Sequence, residues 1–184
     1  MTLHEFADPT AWIEAMVARW ETLGGSALQA RGSFSVSLSG GSTPQPLYAR
    51  LAKLKWPWSA THLFLGDERW VAPDHKESNY RMIHEAFHTT GAKIERVHTE
   101  IGTPEIGARE YEKRLKAELG DPPKFDLILL GVGDDGHTSS LFPGTEALKE
   151  NKLFMAPNFV PQLGVSRITS TYHLLRFSRA IWFV

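Results

Sequence analysis

Apolar residues recur at helical spacing in some stretches of this chain and gather into short runs in others. Asp8-Pro9 supplies an N-cap and a first helical residue ahead of Trp12, Met16, Val17, Trp20 and Leu23, and Gly24-Gly25 is the expected end of that helix. Thr43-Pro44 opens a helix through Leu47, Tyr48, Leu51 and Leu54. Thr103-Pro104 opens another, which carries Ile106, Tyr111, Leu115 and Leu119. A polar, proline-containing loop is predicted up to Asn79, and a short helix from Tyr80 to Phe87. Phe34–Leu38 alternates like a strand, while His62–Leu65, Phe125–Leu130 and Ala180–Val184 read as short apolar strands.

Strands alternating with helices predict an α/β fold, a mainly parallel sheet flanked by helices. Right-handed crossovers bring the C-terminal ends of such strands to one edge, and ligands sit just outside that edge. Three strand exits deserve inspection on that ground: Ser39–Thr43, Gly66–Arg69 and Gly131–His137.

Composition narrows the function classes. A length of 184 residues fits one domain, and 42% apolar with 22% charged residues excludes a disordered chain. Twenty basic against twenty-one acidic residues leave a net charge of −1, so no global field draws nucleic acid or an anionic membrane. The sequence shows neither an 18-residue apolar run nor the layout of a signal peptide. With no cysteine there is no disulfide, thiolate metal site or cysteine nucleophile, and a cytoplasmic location is expected.

The three loops carry the candidate chemistry. In Ser39-Gly40-Gly41-Ser42-Thr43 the glycines let backbone approach a ligand, successive N–H groups can form an anion-binding nest, and hydroxyls add donors. The helix that follows presents its positive end, so a phosphate monoester fits; the Gly-Lys-Ser/Thr ending of a P-loop is missing. Asp67, Glu68 and Arg69 form either a surface charge cluster or a proton carrier beside a forked anion binder. Gly131-Val132-Gly133-Asp134-Asp135-Gly136 matches the dinucleotide fingerprint in letters only. Its two acids would repel a pyrophosphate, and Pro143-Gly144 arrives before a long helix can develop. Asp135 and His137 instead read as a carboxylate and the base it orients. No metal is expected, because further ligands at metal-binding spacing are missing. Arg167 is a candidate second anion contact.

Taken in order and spacing, Leu38–Pro44, Gly66-Asp67-Glu68-Arg69-Trp70-Val71 through Ser78-Asn79-Tyr80, and Gly131–Pro143 resemble the 6-phosphogluconolactonases. Their wider superfamily includes glucosamine-6-phosphate isomerase/deaminase. The isomerase pattern places a glutamate where this chain has Phe142, and a Met-Asp-Glu-Tyr-like phrase in place of Gly66-Asp67-Glu68-Arg69, so the lactonase branch is favoured. The resemblance implies a Rossmann-like three-layer architecture and hydrolysis of 6-phospho-D-glucono-1,5-lactone to 6-phosphogluconate without metal or cofactor. The catalytic residues are then His137, Asp135 and Asp67, with Ser39, Gly40, Gly41, Ser42, Thr43, Arg69 and Arg167 holding the phosphate. The implied partner is the small sugar-phosphate lactone, bound by a monomer or small homo-oligomer, with no nucleic acid and no membrane. An isomerase or deaminase using Asp67 as proton shuttle, and a non-catalytic sugar-phosphate sensor, remain as alternatives. Members of the family continue past the strand at Ala180–Val184 into a lysine-bearing segment and a helix. Residues 1–184 are therefore expected to form a single hydrolase domain lacking its C-terminal segment.

Overall fold

The computed structural model describes residues 2–184. In chain order the first half comprises α1 (Pro9–Arg31), β1 (Phe34–Leu38), α2 (Gln45–Leu51), β2 (Thr61–Leu65), β3 (Asp67–Arg69), α3 (Asn79–Phe87) and β4 (Lys93–Glu95). The second half adds α4 (Pro104–Leu119), β5 (Leu127–Leu130), β6 (Met155–Val160), β7 (Val165–Ser170), α5 (Tyr172–Leu175) and β8 (Ile181–Phe183).

Strands β4-β2-β1-β5-β8 form one sheet in that order, and every pairing in it is parallel. Side-chain alternation divides the core between its two faces. Phe34, Val36, Leu38, Leu63, Leu65, Leu127 and Leu129 pack with Trp20, Tyr48 and Phe87 on one side. Phe64, Ile128 and Leu130 pack with Tyr111, Leu115 and Ile168 on the other. Both faces are covered, giving the expected α/β three-layer arrangement. Each fully buried large side chain of this kind contributes roughly 1.5–3 kcal/mol of transfer free energy. Among the described residues, no helix is long and apolar enough to cross a membrane.

Several expectations from the sequence need correction. Helix α1 does not end at Gly24-Gly25 but continues to Arg31, where Gly32 in the left-handed region closes it. Gly24 is there for packing: a Cβ would lie 2.7 Å from the Trp56 ring and 2.9 Å from Phe34. The start of α1 is as expected, with Asp8 accepting from the Ala11 N–H. Helix α2 stops at Leu51, short of Leu54, and Pro44 rather than Thr43 occupies its N-cap. Asp67–Arg69 is a strand, not a loop. It joins an antiparallel sheet β3-β7-β6 that the sequence pattern did not announce. Pro157 in β6 masks that strand, and a proline is tolerated there because β6 is an edge. Strand β4 is three residues long and half exposed, too short to show a period.

Gly24 and Gly25 give paired tests within one helix. A Cβ on Gly25 meets nothing within 4 Å, so Gly25→Ala should stabilise by about 1 kcal/mol through helix propensity. Gly24→Ala has the same propensity gain but overpacks rigid aromatic rings, and is expected to destabilise by a net ~1 kcal/mol. Urea unfolding of the two variants reads both signs.

Candidate active site

Strand order makes a crevice before any side chain is considered. Chain progression runs from β1 through β2 to β4 on one side, and through β5 to β8 on the other. Ligands of open α/β sheets bind where the order reverses, outside the strands' carboxyl ends. The two exits that flank this point are Ser39–Pro44 after β1 and Gly131–His137 after β5. Between them lies a cavity of about 230 Å³. That volume is below the ~300–1,000 Å³ of sites for drug-sized ligands and suits a small polar molecule. Ser39, Gly40, Gly41, Ser42, Thr43, Asp67, Arg69, His137 and Arg167 all line it. Asp135 does not line it but reaches the site through His137.

Two buried phenols fix the strand ends. The Tyr48 hydroxyl accepts from Ser39 N–H at 3.1 Å and donates to the Ser39 carbonyl at 2.9 Å. The Tyr111 hydroxyl accepts from Leu65 N–H at 2.9 Å. Burial pushes both phenols well above the usual tyrosine range, so each stays protonated. The nest is consequently smaller than the sequence implied, since Ser39 N–H is already used. The N–H groups of Gly40, Gly41, Ser42 and Thr43 have no protein acceptor among the described residues, and the Ser39 hydroxyl is buried without a partner. Gly41 supplies the positive φ of 98° that turns the loop. Gly40 is required by contact, because a Cβ would fall 1.9 Å from Asn79 Oδ1.

His137 is oriented from several directions. Its Nδ1 lies 2.5 Å from Asp135 Oδ1, and the same oxygen accepts from the His137 N–H at 3.1 Å. These bonds with His137 hold the Asp135 carboxyl below the ordinary aspartate range, so it is ionised at neutral pH. An ionised carboxylate only accepts, which makes Nδ1 the protonated nitrogen and leaves the Nε2 lone pair free. The ring stacks on Phe142 with centroids 3.9 Å apart and planes 19° apart. A Cβ at Gly133 would sit 2.2 Å from the imidazole Cε1, so bare backbone is needed there.

The opposite wall carries the cations. Arg69 Nη1 donates to the Glu77 carbonyl and Asn79 Oδ1, both at 2.7 Å. Asp67 is buried, with Oδ1 accepting from Asn79 Nδ2 at 3.1 Å and Oδ2 from Ser140 Oγ at 2.5 Å. Arg167 lies along this carboxylate, and its guanidinium stands 5.2 Å from the Phe142 ring centroid. Burial, with the neighbouring Arg69 charge adding to it and Asp67 opposing it, lowers the Arg167 pKa from the usual arginine value. Glu68 does not face the cavity. It accepts from the N–H groups of Arg69, Asn79 and Tyr80 and from Ser78 Oγ, clasping the start of α3. Burial raises its pKa, and the backbone donors oppose that shift.

Sequence reasoning had not assigned Asn79, Ser139 or Ser140 to the site. Asn79 and Ser139 line the cavity, and Ser140 holds Asp67 from behind. Asn79 stood within a quoted motif, and its signal was the tight Gly40 that makes room for it.

The chain is similar to known proteins over most of its length. Residues 7–184 match the family model described as glucosamine-6-phosphate isomerases/6-phosphogluconolactonase. The 6-phosphogluconolactonase of Nostoc sp. is 38% identical over 192 aligned residues, covering all of this chain and 79% of that protein. The one from Synechocystis sp. is 42% identical over 167 residues, 86% of this chain and 68% of its own length. Among solved structures, a 6-phosphogluconolactonase from Shewanella baltica superposes with a TM-score of 0.87 at 30% identity, covering 97% of this chain and 78% of that one. The Trypanosoma brucei 6-phosphogluconolactonase gives 0.88 at 29% identity, covering 99% and 80%.

The orientation of His137 is open to direct observation. Nitrogen NMR of the neutral protein should show the Nδ1–H tautomer dominating at His137, and Asp135→Ala should move the population towards Nε2–H. An unchanged tautomer in the variant would show that Asp135 does not set it.

Proposed function

Because the chain belongs to the family of glucosamine-6-phosphate isomerases and 6-phosphogluconolactonases, we propose that its cavity hydrolyses 6-phospho-D-glucono-1,5-lactone to 6-phospho-D-gluconate, with His137 as the base. One observation carries this reading. A histidine whose Nδ1 is held by a carboxylate, with no protein partner on Nε2 among the described residues, shares a small cavity with unpaired N–H groups and two arginines. Every curated relative and solved neighbour named above is a 6-phosphogluconolactonase.

The chemistry follows from that arrangement. Nε2 takes a proton from water as the water oxygen attacks the lactone carbonyl carbon. The resulting imidazolium is stabilised by Asp135, which stays ionised, as in hydrolytic triads. When the carbon–ring-oxygen bond breaks, the imidazolium returns its proton to the leaving alkoxide, which restores the base and gives the hydroxy acid; the acid then loses its proton to solvent as 6-phosphogluconate. The phosphate lies on the Gly40–Thr43 N–H groups with Arg167 and Arg69 beside it, a charge-assisted arrangement. Asp67 has its oxygens committed to Asn79 and Ser140, so its part is to position the cations rather than to carry a proton. Phe142, which stands where the isomerase pattern has a glutamate, supplies only a stacking face. We place the reaction in the cytoplasm, in the oxidative branch of the pentose phosphate pathway, performed by a monomer or small homo-oligomer without metal or cofactor.

A coupled assay of phospholactone hydrolysis above the spontaneous background tests the assignment. His137→Ala should lower kcat by about 10²–10⁴-fold, the usual worth of a general base. Gly133→Ala should lower kcat at least about tenfold without unfolding the protein, because its methyl group occupies space now taken by the imidazole. Full activity in His137→Ala would contradict the mechanism.

A further inference from the structure

Resting on this reading, we propose that Ser140 is a positioning residue for the phosphate clamp, its hydroxyl holding Asp67 and Arg167 apart so that the guanidinium stays available to an anion. Ser140 is fully buried, and Ser140 Oγ donates to Asp67 Oδ2 at 2.5 Å while accepting from Arg167 Nη1 at 3.3 Å. The carboxylate and guanidinium themselves are 3.8 Å apart, too far for a hydrogen bond. Among the described residues, no other side chain hydrogen-bonds to both groups. In a buried setting, opposite charges this close gain from closing into a forked pair. Closed in that way, Arg167 would spend its donors and its charge on Asp67 instead of a phosphate.

The backbone around Ser140 is built to hold the hydroxyl in place. Its N–H donates to Thr169 Oγ1 at 3.0 Å, and its carbonyl accepts from the buried Asn158 Nδ2 at 2.7 Å. Asn158 is itself fixed by Thr145 Oγ1 at 3.0 Å. The preceding residue, Ser139, has φ 51°, which makes it the one non-glycine residue with positive φ among those described. Such strain persists only where surrounding contacts over-determine it. Here those contacts direct Ser140 inward between the two charges. Only one Arg167 donor is taken by the hydroxyl, out of the five a guanidinium carries. The spacer therefore satisfies the carboxylate with a short bond and leaves the cation largely free.

The test compares wild type and Ser140→Ala with 6-phosphogluconolactone, with unphosphorylated D-glucono-1,5-lactone, and with inorganic phosphate as competitor. In Ser140→Ala, KM for the phospholactone and the inhibition constant for phosphate should each rise about tenfold, the worth of a contact to a charged group. The kcat at saturation should stay within about twofold, and kcat/KM for the unphosphorylated lactone should not change. Should Ser140→Ala not fold, Ser140→Cys keeps the side chain's shape with a weaker donor and should shift phosphate inhibition in the same direction. Unchanged phosphate inhibition, or an equal fall in kcat with both lactones, would overturn the spacer role. Failure of the wild type to hydrolyse either lactone would instead overturn the proposed function, and phosphate binding by the variants would still report on Ser140.

Discussion

Adjacent buried carboxylates, Asp67 and Glu68, are the constraint on which the site depends. Taking such charges out of water costs several kcal/mol each unless donors replace the lost solvent. The chain supplies those donors from separate segments. Glu68 takes its bonds from the first residues of α3 and the N–H of Arg69, while Asp67 takes its bonds from Asn79 and Ser140. Removing either carboxylate's partners would leave a buried charge uncompensated, so β3, α3 and the loop after His137 are bound to one another by necessity. The cations of the cavity are set by the same network, since Arg69 shares Asn79 with Asp67 and Arg167 shares Ser140.

This wall faces the segment that carries the base, and Phe142 joins the two, stacking on His137 and lying 5.2 Å from the Arg167 guanidinium. His137 depends on Asp135, Phe142 and the absence of a side chain at Gly133, all within one short stretch after β5. The anion-binding loop comes from β1 and is anchored by Tyr48 from the helix behind it. Arg69 and Arg167 come from the second sheet, while the base and the N–H loop follow β5 and β1, paired strands of a sheet whose faces are both filled. Their separation is set by strand pairing rather than by loop flexibility. Short loops on a packed scaffold can hold reacting groups at the distances that proximity catalysis requires.

Much of this was legible in the sequence, for physical reasons. The helical period of Trp12–Leu23, the alternation of β1 and the apolar runs of β2 and β5 are strong because those elements bury wide faces. The site loops were found because they stand at the strand exits where open α/β sheets bind ligands. What escaped notice was whatever depends on tertiary contact. Gly24-Gly25 looked like a helix end, yet Gly24 is a packing solution for Trp56. The β6–β7 hairpin was hidden by Pro157 and by polar residues such as Asn158 and Thr169, which are buried to serve the Ser140 network. Ser140 itself reads as one more serine in Thr138-Ser139-Ser140, and only its neighbours in space give it a role.

In the proposed complex the sugar lies across the switch point, with its phosphate on the β1 loop and its reacting carbon at His137. A crystal structure with bound 6-phosphogluconate tests this most directly. The phosphate oxygens are expected on the N–H groups of Gly40–Thr43 and on Arg167, with the C1 carboxylate within hydrogen-bond reach of His137 Nε2. A phosphate seated against His137, with the carboxylate on the glycine loop, would contradict it.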